Sequence, residues 1–177
     1  QRRIEELLDY GSLQFHKLKL DLDEVDPGKV LDRVAQTQKL ALQAKNLTLQ
    51  TQLEDSTLTA DGEKMRLVLD NLLSNAIRFS PDGGTIAVSM RHDATDLTID
   101  VSDDGPGIAA ADEPHIFEPY YQGRAQASGP VKGTGLGLSI VKEYVTAHGG
   151  SVEVVAVPGV RGAHLRVRLP RFRLEAS

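Results

Sequence analysis

Cysteine and tryptophan are absent from the 177 residues, and phenylalanine and tyrosine number only four each. Without thiols there is no disulfide scaffold and no thiolate metal site. No window approaches the roughly 18 consecutive apolar residues that a membrane helix needs, and no amino-terminal apolar run behind basic residues resembles a secretion leader. Positive charge is also in deficit. With 20 Lys+Arg against 25 Asp+Glu the net charge is -5, whereas a nucleic-acid footprint draws on clustered Lys and Arg. A basic carboxy-terminal run, Arg161, Arg166, Arg168, Arg171 and Arg173, is the exception; its alternation inside HLRVRLP reads as the wet face of an edge strand. At 40% hydrophobic and 25% charged, what remains suffices for one ordinary core and rules out wholesale disorder. The expectation is a protein that works in the cytoplasm, binds no nucleic acid and is not inserted in a membrane.

Residues 1 to about 22 place Ile4, Leu7, Leu8, Gly11, Phe15, Leu18 and Leu22 at three- and four-residue steps, the signature of an amphipathic helix. Asp26-Pro27-Gly28 is a turn signal, so the chain divides into residues 1–25, helix and linker, and a compact unit over 26–177. Within that unit, residues 29–46 read as a helix, 47–53 as a strand and 62–79 as a second helix with Asp61 as its N-cap. The turn Ser80-Pro81-Asp82-Gly83-Gly84 follows, then a hairpin of TIAVSMR (85–91) and LTIDVS (97–102). Eleven of the 16 glycines fall between Gly105 and Gly162, which marks a long functional loop before a helix at 134–147. Two strands, SVEVVAV and AHLRVRL, close the chain. Helices in one group and strands in hairpins predict an α+β domain rather than a doubly wound parallel sheet.

Three constellations carry chemistry. On the helix at 62–79, Asn71, Asn75 and Arg78 lie within about 60° of one another at 100° per residue. Asparagine is a poor helix former, because its carboxamide competes for backbone hydrogen bonds. Two of them one turn apart are either a solvated face or a site where an amide oxygen ligates Mg²⁺ beside a phosphate held by the arginine. The second constellation, Asp103-Asp104-Gly105-Pro106-Gly107-Ile108, puts a carboxylate at a strand end, before glycines that let a ligand lie on the backbone; read alone it is better taken as a plain surface turn. The third, Lys132-Gly133-Thr134-Gly135-Leu136-Gly137-Leu138, opens a helix whose first-turn amides suit a phosphate. Its spacing fits neither the dinucleotide fingerprint nor the P-loop.

In this order the three, with Ile116-Phe117-Glu118-Pro119-Tyr120-Tyr121 between the second and third, resemble the catalytic ATP-binding domain of sensor histidine kinases. That domain belongs to the Bergerat-fold superfamily, which also holds gyrase, heat-shock chaperones and mismatch-repair ATPases. The matching runs are NLLSNAIRF (71–79), DDGPGI (103–108), IFEPYY (116–121) and GTGLGLSI (133–140), and the likeness extends over about residues 26–170. The resemblance implies a two-layer α/β sandwich, a mixed sheet packed on three helices and preceded by one amphipathic helix, here the second helix of a dimerisation hairpin. It implies ATP and Mg²⁺ as ligands, with Asp103 on the adenine amine, Gly105, Gly107 and Ile108 against the base, and Asn75 as metal ligand. Asn71 and Arg78 would stand near the phosphates, with Phe79 and Tyr121 as flanking aromatics. Residues 109–132 would be a lid, mobile when empty, and Lys132, Gly133, Thr134, Gly135, Leu136, Gly137 and Leu138 would close over the triphosphate. The reaction implied is transfer of the γ-phosphoryl group to a histidine on the parent's own dimerisation domain, in a homodimer, for relay to a response regulator.

Relatives that hydrolyse ATP carry Glu at the position of Asn71. An amide cannot take a proton from water, and Asp70 lies 100° away around the helix. An imidazole acceptor needs little help from a base. Three departures qualify the likeness. The acceptor motif, His followed by an acid, Arg and Pro, is absent, and His16 lacks those neighbours. Gln122 stands where many relatives have Arg, which would also suit a module that binds ATP and transfers nothing. Ala163 stands where relatives often have Ser or Thr. The other histidines, His92, His115, His148 and His164, read as loop or strand residues without ligand spacing.

Overall fold

The computed structural model describes residues 18–121, 137–156 and 159–172. Most of the predicted amino-terminal helix lies outside these residues. Its last predicted turn does not form: Leu18, Lys19 and Leu20 have no regular structure, and Leu22–Val25 is a strand, β1, antiparallel to a strand at Leu58–Asp61, β3. The last helix position, Leu22, and the linker residues that follow it are thus paired along the compact unit. Neither strand was visible in the sequence beforehand, because LDEV and LTAD are too short to show a period of two.

The remaining strands are β2 (Thr48–Leu53), β4 (Thr85–His92), β5 (Asp96–Ser102), β6 (Ser151–Val154) and β7 (His164–Pro170). They form one sheet in the order β2-β4-β5-β7-β6. β2 runs parallel to β4 and every other neighbour is antiparallel, so the sheet is mixed as expected. The β4–β5 hairpin also matches. β7 does not lie at an edge: it is hydrogen-bonded to β5 and β6. Its alternation still holds, with Leu165, Val167 and Leu169 buried and Arg166 and Arg168 on the other face. That outer face is itself organised, since Asp100 accepts from His164 and from Arg166, each at 2.7 Å.

One face of the sheet is covered by α1 (Pro27–Thr37), the short α2 (Lys39–Ala44), α3 (Gly62–Phe79) and α4 (Gly137–Ala147). The single helix expected at 29–46 is broken at Gln38, whose amide turns away to donate to Asp70 Oδ1 at 2.9 Å and Ser74 Oγ at 2.7 Å on α3. α1 begins at the Asp26 cap, which accepts from the Gly28 and Lys29 amides. α3 has the predicted bounds and the predicted cap, with Asp61 Oδ1 accepting from the Lys64 amide at 3.1 Å. It packs between α1 and α4. Its buried stripe, Met65, Val68, Leu69, Leu72, Leu73, Ala76 and Ile77, faces Ile86, Val88, Ile99 and Val167 of the sheet in one core. Burial of this stripe orients the helix, and so aims Asn71, Asn75 and Arg78 at the rim between the two layers.

Candidate functional site

The three polar residues of α3 share one face, as their spacing predicts. Arg78 Nη2 donates to Asn75 Oδ1 at 3.1 Å. Asn71 Nδ2 donates back to the Leu67 carbonyl at 2.7 Å, which frees its Oδ1 to point elsewhere. That oxygen meets the start of α4: a β-carbon placed on Gly137 would come within 2.9 Å of it. Arg78 is the electrostatic oddity. Burial lowers its pKa, and its side-chain neighbours among the described residues are a neutral carboxamide and the Phe79 ring, whose centroid lies 5.7 Å from the guanidinium carbon. A desolvated cation without a carboxylate partner is a site for an anion.

Asp70 stands apart from this face. Its carboxylate is engaged by Gln38 at the α1–α2 break, which is the quarter-turn offset expected for its position.

Across the rim, the two aspartates after β5 have divided their work. Asp104 Oδ2 accepts from the Thr85 amide at 2.9 Å and fixes the start of β4. Asp103 is 7% exposed. Its Oδ1 accepts from the amides of Gly105, at 2.8 Å, and Ala163, at 3.3 Å, while no donor among the described residues reaches Oδ2. Burial raises its pKa, outweighing the two amides that favour the charged form. The result is a fixed, partly desolvated carboxylate with one oxygen unspent, suited to an exocyclic amine. The Ala163 position contributes here through its backbone, so the absent hydroxyl costs none of these contacts. Gly105 is required by close approach: a β-carbon there would lie 2.4 Å from the Phe79 carbonyl oxygen. This contact joins the end of α3 to the Asp103 loop, so Arg78, Phe79 and Asp103 are placed by one piece of packing.

Two residues that sequence reasoning did not single out complete the rim. Lys45 Nζ donates to the carbonyls of Ile77, at 2.6 Å, and Arg78, at 3.2 Å, and so caps the carboxy-terminal turn of α3. Gly162, at φ +104°, leaves no room for a side chain: a β-carbon there would collide with the Asp103 carbonyl.

Ile108 packs on the core. The first part of the expected lid is folded: Glu113–His115 is a 3₁₀ turn, and Ile116 and Phe117 pack on the core. Tyr121 donates to Asp112 at 2.6 Å and stacks on His115 at 5.2 Å. Residues 122–136, which include Gln122, Lys132, Gly133, Thr134, Gly135 and Leu136, lie outside the described residues, as does His16; Gly137 and Leu138 open α4. No cluster of three metal-binding side chains occurs among the described residues, and no helix there is long and apolar enough to cross a membrane.

The fold, a mixed five-stranded sheet under helices, is shared with the catalytic domain of histidine kinase ThkA, which superposes with a TM-score of 0.76 at 24% identity. The chain belongs to the histidine kinase-, DNA gyrase B-, and HSP90-like ATPase family, whose model matches residues 60–173. Sensor histidine kinase TmoS of Ectopseudomonas mendocina is 36% identical over 172 residues, covering 96% of this chain and 18% of the relative. The chain thus spans about a fifth of the length of that curated relative. Among solved structures, full-length ShkA in complex with AMPPNP superposes with a TM-score of 0.83 at 26% identity, covering 99% of this chain and 36% of that one. The mycobacterial sensor histidine kinase MprB gives 0.75 at 27% identity, over 86% of this chain and all of that one.

Proposed function

We propose that this chain is the ATP-binding catalytic domain of a two-component sensor histidine kinase. It transfers the γ-phosphoryl group of Mg-ATP to a histidine on a dimerisation domain of the same homodimeric parent, from which a response-regulator aspartate takes it. In this reading residues 1–25 are the end of a dimerisation helix with its linker, and residues 26–177 are the catalytic domain. The observation that carries it is the pairing of an anion site with an amine site on one rim: the Arg78 guanidinium beside Asn75, which meets no carboxylate among the described residues, and Asp103 Oδ2, which no donor among the described residues reaches. The structure of ShkA with AMPPNP supports the same ligand class.

The residues present fit Mg-ATP. Asn75 Oδ1 would hold the ion, which when bound supplies charge neutralisation to the phosphates. Asn71 and Arg78 orient phosphate oxygens, Gly137 and Leu138 close over the triphosphate, and Phe79 and Ile108 exclude water. No residue of the Asn71–Asn75–Arg78 face can take a proton from water, so the site positions two reactants and leaves the nucleophile to supply itself.

Incubated with γ-labelled ATP, the chain should label a separately supplied acceptor hairpin and leave itself unlabelled. Labelling of the chain alone, or of neither partner despite nucleotide binding, refutes the reading. Asp103→Asn should weaken discrimination of adenine over guanine nucleotides about tenfold, the value of one buried charge-assisted hydrogen bond. Because the Asp103 pKa is raised, selectivity should fall on acidification at a higher pH than an ordinary aspartate would give. Competition titrations from pH 7 downwards measure both effects, and unchanged selectivity in Asp103→Asn removes Asp103 from its role.

A further inference from the structure

His148 follows the last turn of α4 and is 6% exposed. Its partners fix its chemical form. The Asp61 amide donates to Nε2 at 3.0 Å, so that nitrogen must be the acceptor. Nδ1 faces the Tyr144 carbonyl at 2.7 Å and must carry the hydrogen. With Nε2 accepting and Nδ1 donating, the ring bolts the end of α4 to the N-cap of α3.

The bolt is one of three contacts at matching heights along the two antiparallel helices. Asp61 meets His148, the Lys64 ammonium lies 5.5 Å from the centre of the Tyr144 ring, and Asn71 meets Gly137. From Asp61 to Asn71, α3 rises about 15 Å, and from His148 back to Gly137, α4 rises about 16 Å. The two lengths agree, so the far end is set by the near end. A slip of one residue moves Gly137 by about 1.5 Å, enough to jam its backbone into the Asn71 carboxamide or to withdraw it. Asp61 is itself held rigidly: Oδ2 accepts from the Asp21 amide at 2.9 Å, and although burial pushes its pKa up, that amide, the Lys64 amide and the Lys64 ammonium outweigh it and hold the carboxyl below the usual range.

We propose that His148 is a positioning residue that sets the longitudinal register of α4 on α3, and thereby places the Gly137 turn against Asn71 for the triphosphate half of the nucleotide, leaving the adenine half to Asp103. The inference rests on the nucleotide reading above for the identity of the ligand, but the register claim itself has a ligand-free readout.

The experiment compares His148→Phe, which keeps a ring and loses both nitrogens, with His148→Gln, which keeps an acceptor for the Asp61 amide. Without ligand, His148→Phe should shift the NMR signals of the Gly137 amide and the Asn71 carboxamide and leave Gly105 in place, and His148→Gln should restore both. With ligand, His148→Phe should lose about tenfold in affinity for Mg-AMPPNP while adenosine binding changes less than about twofold, and His148→Gln should recover the triphosphate affinity. Equal losses for both ligands, no loss, or no recovery in His148→Gln overturn the proposal, since a residue that merely stabilises the fold would weaken both ligands alike. Should His148→Phe fail to fold, hydrogen exchange in the unaltered chain decides: Mg-AMPPNP should slow the Asp61 amide severalfold and adenosine should not, because coupling between two sites is reciprocal. If the unaltered chain binds neither ligand the nucleotide reading fails, and the ligand-free signals still judge the register.

Discussion

Gly162→Ala should cost about 3 kcal/mol of folding stability, lower the melting temperature by about 10 °C, and abolish nucleotide binding under conditions where the variant is still folded. Two independent penalties meet at this residue. Its φ of +104° lies where a side chain is strained, and a β-carbon there would come within 1.8 Å of the Asp103 carbonyl oxygen and 2.8 Å of its carbonyl carbon. Relief requires the ends of β5 and β7 to separate. They are held together at that point by the Asp103 amide donating to the Ala163 carbonyl at 3.0 Å and by the Ala163 amide donating to Asp103 Oδ1. Separation therefore undoes the hydrogen bonds that aim the Asp103 carboxylate, and the damage reaches the proposed adenine contact before it reaches the core. Gly159 supplies the control: its φ is +79°, but no atom of the described residues beyond its chain neighbours lies within 4 Å of a β-carbon there. Gly159→Ala should cost only the backbone strain, about 1 kcal/mol. Thermal melts of the two variants, with nucleotide titrations below the transition, measure the difference. Equal melting temperatures would mean that the Asp103 and Gly162 loops do not interlock.

The parts of this architecture legible in the sequence are those whose cause is local. α3 has the predicted bounds because its cap, its apolar stripe and the Ser80-Pro81 stop all lie within its own residues. The Asn71, Asn75 and Arg78 face follows from helical geometry alone, and the β4–β5 hairpin from alternation. What escaped was decided by distant partners. The break between α1 and α2 depends on Gln38 reaching two side chains on α3. β7 carries an alternation that an edge strand and an inner strand share, and only the pairing with both β5 and β6 separates them. His148 reads as a loop or strand residue without ligand spacing, because the amide that bonds it lies 87 residues earlier. The turn signal at Asp26 is met as the cap of α1, while the pairing of β1, just before it, with β3 depends on a strand far along the chain, at Leu58–Asp61. The candidate site is intermediate. Its residue types were readable from the motifs, whereas the roles of Lys45 and Gly162 belong to the packing of loops on one another.

Asn75→Ala should lower single-turnover phosphoryl transfer to an acceptor hairpin by about 10² to 10³, whereas Asp70→Asn should change it less than about threefold. The asymmetry follows from where the two side chains are spent. Asp70 is a carboxylate bonded by Gln38 on the far side of α3, and asparagine keeps an acceptor for that bond. Asn75 is neutral and stands on the polar face, where its Oδ1 already holds Arg78. Truncation removes the proposed metal ligand and frees the arginine in one step, so both of the interactions proposed to act on the phosphates are lost. Asn75→Asp separates them, since it retains an oxygen for both Arg78 and the cation. It should recover most of the transfer rate and tighten Mg²⁺ dependence, because a carboxylate is the stronger ligand for a hard cation. A titration of Mg²⁺ at saturating ATP for all three variants reads the metal role directly. Equal loss in Asn75→Ala and Asp70→Asn would remove Asn75 from the site. Steady phosphate release that Asp70→Asn abolishes would make the chain an ATPase with Asp70 as its base, and that would require the Gln38 contact to open during turnover.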